Sequence, residues 1–226
     1  MIQLNCTKKL LTKLSPDSEG LLPEGRAILN DIGYFLNPNP LSGWQANLFT
    51  IQRRNCILML HNTTRFPLLI IGLVKKDYPV LDYLFSDALM NTLLKIGANE
   101  EQMQTATEAL APLSIQSGCD RSVQGTMNQM KGSFEHMVWY DDIKVEELSP
   151  YRTAAWLADR PCTVKGQKDC IWPKEAMLNL LDKMRNGLPK SSKLEFEVGS
   201  SVPIDIEQSN VVSIMDYQFK ASKEKH

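Results

Sequence analysis

The sequence has no long hydrophobic segment, few histidines and no closely spaced cysteine pair. Its longest nearly unbroken apolar run, residues 66–74, is about half as long as a membrane-spanning helix. The five cysteines include no Cys-x-x-Cys pair, and no histidine lies near Cys162 and Cys170 in sequence. We therefore expect neither a disulfide framework nor a metal site, and no membrane partner.

The motifs of several common enzyme classes are also missing. There is no Gly-x-Ser-x-Gly nucleophile elbow, no Gly-x-x-x-x-Gly-Lys phosphate loop and no Gly-x-Gly-x-x-Gly dinucleotide motif. We therefore expect no bound cofactor, and the sequence favours a binding protein over an ordinary enzyme. The first residues, Met1 to Cys6, lack a basic leader followed by an apolar stretch, so we expect a cytoplasmic location.

What the chain does have is enough apolar residues for a large core and an uneven distribution of charge. Of its 226 residues 43% are hydrophobic and 23% are charged, with a net charge of −1, which excludes a disordered chain. Residues 1–76 carry a net charge of +5, residues 77–147 carry −8 and residues 148–226 carry +2. The basic third either complements the acidic third within the fold or stays free to bind an anionic partner.

Hydrophobic periodicity predicts an α+β fold. Three apolar runs at 46–51, 56–60 and 66–71, separated by short polar breaks, predict an antiparallel meander that helices cover on both faces. Further strands are predicted at 2–5 and 113–116, and helices at 8–14, 24–35, 81–96, 99–111, 123–138, 151–158 and 173–187. We expect a mostly antiparallel sheet covered by helices in residues 1–187, followed by a small C-terminal β appendage and polar tail in residues 188–226.

Three short motifs resemble those of an uncharacterised family of bacterial proteins. They are Trp-Gln-Ala-Asn-Leu-Phe at 44–49, Arg-Arg-Asn-Cys at 53–56 and Asp-Arg-Ser-Val-Gln-Gly-Thr-Met-Asn at 120–128. That family carries only a domain-of-unknown-function label, and the resemblance covers roughly residues 1–181. It implies no activity, substrate or cofactor.

The first candidate site combines an aromatic side chain with basic ones. Arg53 and Arg54 are adjacent in a predicted hairpin turn, where guanidinium groups can contact phosphates or carboxylates. Trp44 begins the same meander, and Lys75 and Lys76 precede a predicted helix. An aromatic ring beside basic side chains is suited to single-stranded nucleic acid. The alternative is that Trp44 belongs to the core and the arginines pair with acidic helices.

The second candidate site is the loop at 118–122, which leads into a predicted helix. Backbone amides at a helix N-terminus, together with Arg121 and Ser122, can hold an anion. Catalysis there would need His61 as a base for Cys119 or Ser122, because the sequence indicates that His136 faces solvent. The alternative is that Asp120 or Ser122 caps the helix and Arg121 pairs with an acidic neighbour.

These patterns favour a non-catalytic binding protein that recognises an anionic ligand, such as nucleic acid, or a protein partner. Its predicted contact residues are Trp44, Arg53, Arg54, Lys75, Lys76 and Arg121. One alternative is a small enzyme acting on a phosphodiester or similar substrate with His61, Cys119, Arg121 and Ser122. Another is a partner subunit whose C-terminal strands extend another sheet. The oligomeric state stays open.

Overall fold

The structure is a computed structural model that describes residues 1–32, 39–163 and 169–187. The described residues form five strands and seven α-helices, with short 3₁₀ helices at Lys75–Val80 and Val145–Glu147. In chain order the elements are β1 (Ile2–Cys6), α1 (Lys8–Leu14), α2 (Pro23–Ile32), β2 (Trp44–Ile51), β3 (Arg54–His61), β4 (Pro67–Leu73), α3 (Leu81–Ile96), α4 (Glu100–Ala109), β5 (Leu113–Ser117), α5 (Arg121–Tyr140), α6 (Pro150–Ala158) and α7 (Pro173–Gly187).

Local sequence signals set several of the helix ends. The Asn99 side chain caps α4 by accepting a hydrogen bond from the Gln102 backbone N–H, and the Gln102 side-chain oxygen accepts one from the Asn99 backbone N–H. The Asp120 carboxylate caps α5 by accepting from the backbone amides of Ser122 and Val123. Gly97 ends α3 with a φ of +84°, a left-handed conformation that glycine adopts without strain.

The five strands form one mixed sheet in the order β4-β3-β2-β1-β5. The β2-β3-β4 meander is antiparallel as predicted, but β1 runs parallel to both β2 and β5. The prediction of a mostly antiparallel sheet is therefore wrong, while the α+β class is confirmed. The reason is connectivity: helices join β1 to β2 and β4 to β5, and such long crossovers allow neighbouring strands to run parallel.

Other segments cover both edges of this sheet. On the β5 side, the Ile115 backbone N–H donates to the Gly20 carbonyl at 2.7 Å. Gly20 has a φ of +79°, and a Cβ there would lie 2.6 Å from the Ile115 carbonyl oxygen, so the close approach requires glycine. On the other side α6 packs against β4 and contributes side chains to both core clusters. Covered edges protect a sheet from pairing with other chains.

The sheet separates two hydrophobic cores. Ile57 and Met59 of β3 point into the first core, together with side chains of α1, α3 and α7. Their neighbours Cys56 and Leu58 point to the opposite face, which α5 covers with Met127 and other apolar side chains. Successive side chains of β3 thus point alternately into the two cores, which explains why the β3 sequence is apolar at almost every position.

Two further results concern the limits of the described chain. None of the helices in the described ranges has the length and hydropathy of a membrane span. The predicted C-terminal β appendage, residues 188–226, lies outside the described residues and stays a prediction, as does the end of the helix predicted at 24–35.

Candidate functional site

Trp44, the aromatic residue of the first predicted site, lies in the first core. Its side chain is fully buried, and its indole N–H donates to the Leu41 carbonyl at 2.7 Å. The ring packs edge-on against Phe85, with 5.2 Å between centroids, and lies 5.0 Å from the His61 ring. A buried ring cannot stack on a ligand, so the structure places Trp44 in a packing role.

Arg53 and Arg54 are exposed at the turn between β2 and β3. Gln52 and Arg53 both have positive φ, as expected for a two-residue hairpin turn. Arg54 forms an ion pair with Glu146, so one of the two arginines meets an acidic segment as the alternative interpretation expected. Gln52 holds the same segment in place: its side-chain carbonyl accepts from the Val145 N–H at 2.8 Å.

The predicted ligand-binding residues do not come together on one surface. Lys75 and Lys76 are exposed just beyond β4, at the same end of the sheet as the Arg53 turn, because Leu73 pairs with Asn55. Arg121 lies at the other end, where the Asp120 N–H points to the Gln45 side-chain oxygen at 3.4 Å. The eight residues of β2, about 25 Å of strand, separate the two ends.

His61 makes its hydrogen bonds away from the candidate nucleophiles. Because the Ser42 carbonyl can only accept, we assign the ring proton to Nε2, which lies 3.2 Å from that oxygen. Nδ1 then accepts from the Thr64 hydroxyl at 2.9 Å. Burial lowers the pKa of the imidazole to about 4. Among the described residues, no hydrogen bond joins His61 to Cys119 or Ser122.

An exposed aromatic surface on α5 and α6 was not predicted. It consists of His136, Trp139 and Tyr140 of α5 and Trp156 of α6, and Trp139 and Tyr140 are 78% and 74% exposed. The His136 ring stacks on Tyr140, with 5.8 Å between centroids and 12° between planes. The exposed position predicted for His136 is confirmed. The sequence did contain the signal, since 136, 139 and 140 follow helical spacing on the polar side of the helix.

A shallow groove of about 440 Å³ lies between α5 and α6 beside these rings. Its described lining residues are Gly132, Ser133, His136, Met137, Tyr140, Asp141, Trp156 and Arg160. The Arg160 guanidinium lies over the Trp156 ring, 4.3 Å from its centroid. We call this the α5–α6 groove.

Charged groups of both signs surround the α5–α6 groove, and the acidic ones are more numerous. Both helices end beside it, and a helix C-terminus carries a partial negative charge. Asp141 and Arg160 line the groove, and Asp142 follows Asp141. Asp159 comes directly after α6 and pairs with Lys174 at 3.8 Å; all three aspartates are exposed. The groove therefore combines aromatic faces with a local excess of acidic groups.

Comparisons with known proteins assign no activity. Residues 3–176 match the sequence model of a protein family described as "Domain of unknown function (DUF6933)". This match confirms the resemblance to a family of unknown function. No curated protein matches the chain. No solved structure matches it either.

Proposed function

We propose that this chain, which belongs to the DUF6933 family of unknown function, is a non-catalytic binding protein whose α5–α6 groove holds a basic segment of a protein partner. The observation that carries the proposal is the exposure of neighbouring aromatic side chains around the groove. Tyr140 is 74% exposed and Trp156 is 37% exposed, and both line it. Contiguous exposed aromatic surface is typical of interaction sites, where tyrosine and tryptophan dominate binding energy.

The charge of the groove supports a cationic partner over an anionic one. Asp141 and the helix C-termini attract positive charge and repel a phosphate backbone. Arg160 already occupies the face of Trp156, an intramolecular example of the contact a partner's arginine or lysine would make. Of the two ligand classes that the sequence left open, these observations support the protein partner rather than nucleic acid.

Neither of the other functional interpretations gains a specific supporting observation. The enzyme alternative needs a base beside Cys119 or Ser122, and the hydrogen bonds of His61 go to Ser42 and Thr64 instead. We keep a cytoplasmic location as part of the proposal. It is supported by the five cysteines, all of which are described and none of which forms a disulfide.

Fluorescence anisotropy with three labelled probes tests the proposed function. The probes are a peptide of alternating arginine and glycine, a peptide of alternating glutamate and glycine, and a single-stranded oligodeoxynucleotide of similar length. We expect the arginine peptide to bind most tightly. Tyr140→Ala should weaken that binding about fivefold, since one cation–π contact contributes about 1 kcal/mol. The separate variant Asp141→Asn should also weaken it, and more strongly at low salt than at high salt.

Tyr83→Ala is the matched control, because Tyr83 is 47% exposed on α3, which packs against the other face of the sheet. This variant should bind the arginine peptide as the wild type does. Tighter binding of the oligonucleotide, or equal affinity of Tyr140→Ala and wild type for the arginine peptide, would refute the proposal.

A further inference from the structure

Arg65 is a buried cation in the turn between β3 and β4. Arg65 is only 6% exposed, and its backbone φ is +59°. The turn is held by hydrogen bonds from the Arg65 N–H to the His61 carbonyl and from the His61 N–H to the Phe66 carbonyl. A rigid turn therefore directs this guanidinium inward.

The hydrogen bonds of Arg65 leave its charge without a counterion. One terminal nitrogen donates to the Asn62 carbonyl and the other donates to the Ser122 hydroxyl oxygen at 3.1 Å. Its Nε is buried and has no hydrogen-bond partner. Among the described side chains, no carboxylate lies within ion-pair distance of this guanidinium. Buried charges are normally paired, so this unpaired guanidinium leaves a positive potential in its surroundings that a nearby anion would offset.

Asp120 is the acidic group whose charge most affects Arg65, but it is already engaged. Its carboxylate accepts from the amides of Ser122 at 2.7 Å and Val123 at 3.1 Å, where it caps α5. Burial lowers the pKa of Arg65 and the charge of Asp120 acts in the opposite direction. Both capping bonds use Asp120 Oδ1, and the Asp120 carboxylate acts on Arg65 only from beyond ion-pair distance.

A groove of about 460 Å³ opens on the other side of Ser122. Its described lining residues are Arg121, Ser122, Gly125, Thr126, Gln129 and Thr163. These offer a guanidinium, three hydroxyls and an amide, and none of them is acidic. Gly125 has open space where a Cβ would point, so the backbone of α5 is accessible there. We call this the α5 N-terminal groove.

We propose that the α5 N-terminal groove binds the phosphate group of a small phosphorylated ligand, held by Arg121, Ser122 and Thr126, with Arg65 as the buried positive charge behind Ser122. The volume is in the range of small-molecule sites. Guanidinium groups and hydroxyls suit phosphate oxygens. This site does not depend on the proposed function, because the two grooves share no lining residue among those described, although they lie about one helical turn apart along α5, at Gln129 and Gly132.

Isothermal titration calorimetry with inorganic phosphate and with ribose 5-phosphate tests the site at constant ionic strength. We expect both probes to bind the wild type, and tighter binding of ribose 5-phosphate would identify a phosphorylated metabolite rather than free phosphate as the preferred form. Arg121→Gln should weaken binding of both probes about tenfold, the effect of one charge-assisted contact of about 1.4 kcal/mol. Thr126→Val should weaken it by a smaller factor. Arg152→Gln removes another exposed arginine, on α6, and should leave binding unchanged.

Arg65→Met gives a second readout, because methionine fills a similar volume without the charge. Phosphate should raise the melting temperature of the wild type and should not raise that of Arg65→Met. If this variant does not fold, the Arg121→Gln and Thr126→Val titrations decide. The proposal is overturned if neither probe binds the wild type, if Arg121→Gln binds like the wild type, or if Arg65→Met keeps the full phosphate-dependent increase.

Discussion

The two faces of the central sheet use the same residue types in opposite ways. In the first core Trp44 and His61 are in ring contact and are almost completely buried. On the helix that covers the second core, His136 and Trp139 are also in ring contact but are exposed. A tryptophan beside a histidine is therefore a packing unit on one face and an accessible surface on the other.

The difference shows that residue type alone does not identify a binding residue. Trp44 has both an apolar environment and an acceptor for its indole N–H, so folding satisfies the whole side chain. Trp139 and Tyr140 keep most of their surface in contact with water. Their aromatic rings therefore contribute little hydrophobic stabilisation to the fold. An interaction explains the second pair, while the fold itself explains the first.

The largest expected effect comes from replacing a tryptophan on each face. Trp44→Ala should lower the free energy of unfolding by about 3–5 kcal/mol, because it leaves a cavity in the first core. Trp139→Ala should change it by less than about 0.5 kcal/mol, as exposed substitutions do. Urea denaturation followed by circular dichroism measures both. Equal losses in the two variants would remove the distinction between the faces.

The first core also holds two buried groups whose protonation should affect stability in opposite directions. Burial raises the pKa of the Asp82 carboxyl from 3.8 to about 6, and its Oδ2 is buried without a hydrogen-bond partner. Asp82 therefore stabilises the fold when protonated, and this contribution is lost as pH rises from about 4 to 6. The pKa of His61 falls from 6.5 to about 4, so its contribution is present above pH 6.5 and is lost as pH falls to 4.

Asp82→Asn should separate the two contributions. Asparagine can still accept from the Leu113 N–H, which now donates to Asp82 Oδ1 at 2.7 Å, but it does not ionise. At pH 7 the variant should be more stable than the wild type by up to about 3 kcal/mol, the value of a shift of about two pKa units. Between pH 7 and 4 it should lose about 3 kcal/mol, because the His61 contribution is no longer offset.

Urea unfolding at pH 7, 5.5 and 4 measures these differences, with Asp169→Asn as a control because Asp169 is exposed. Parallel stability curves for Asp82→Asn and wild type across this range would contradict the expected compensation.

The smallest effect is expected at the hairpin turn, away from both cores. Arg54 and Glu146 form an ion pair with side chains that are 50% and 53% exposed. Arg54→Gln should therefore change the unfolding free energy by less than about 1 kcal/mol, with little dependence on salt above physiological strength. Thermal unfolding at low and high salt gives the measurement. A loss as large as that of Trp44→Ala would mean that this turn is as important to the fold as the first core.

Most secondary structure was predictable because its signals are local. The apolar stripe and terminal Gly97 defined α3, and the capping Ser149 with Pro150 placed the start of α6. The mixed sheet was not predicted, although the strand–helix–strand order of β1, α1 and β2 is the usual signal of parallel pairing. The meander was interpreted correctly from adjacent strands, whereas β1 and β5 pair with strands far away in sequence.

The sites were harder to predict than the elements. The sequence singled out Trp44 because it lies near arginines, but burial depends on Phe85 and His61, which fold onto it from α3 and β3. It did not single out Arg65, because nothing in its neighbours shows that the side chain reaches Ser122.

By itself, the sequence determined the α+β class, the helix and strand positions and the presence of two covered sheet faces. These depend on hydrophobic period, capping and turn residues, which act over a few residues. Only the tertiary structure decided which strands run parallel, that Trp44 is buried while Trp139 is exposed, and that Arg65 lies unpaired behind Ser122. Those outcomes depend on contacts between residues far apart in the chain, and burial and charge pairing are properties of such contacts.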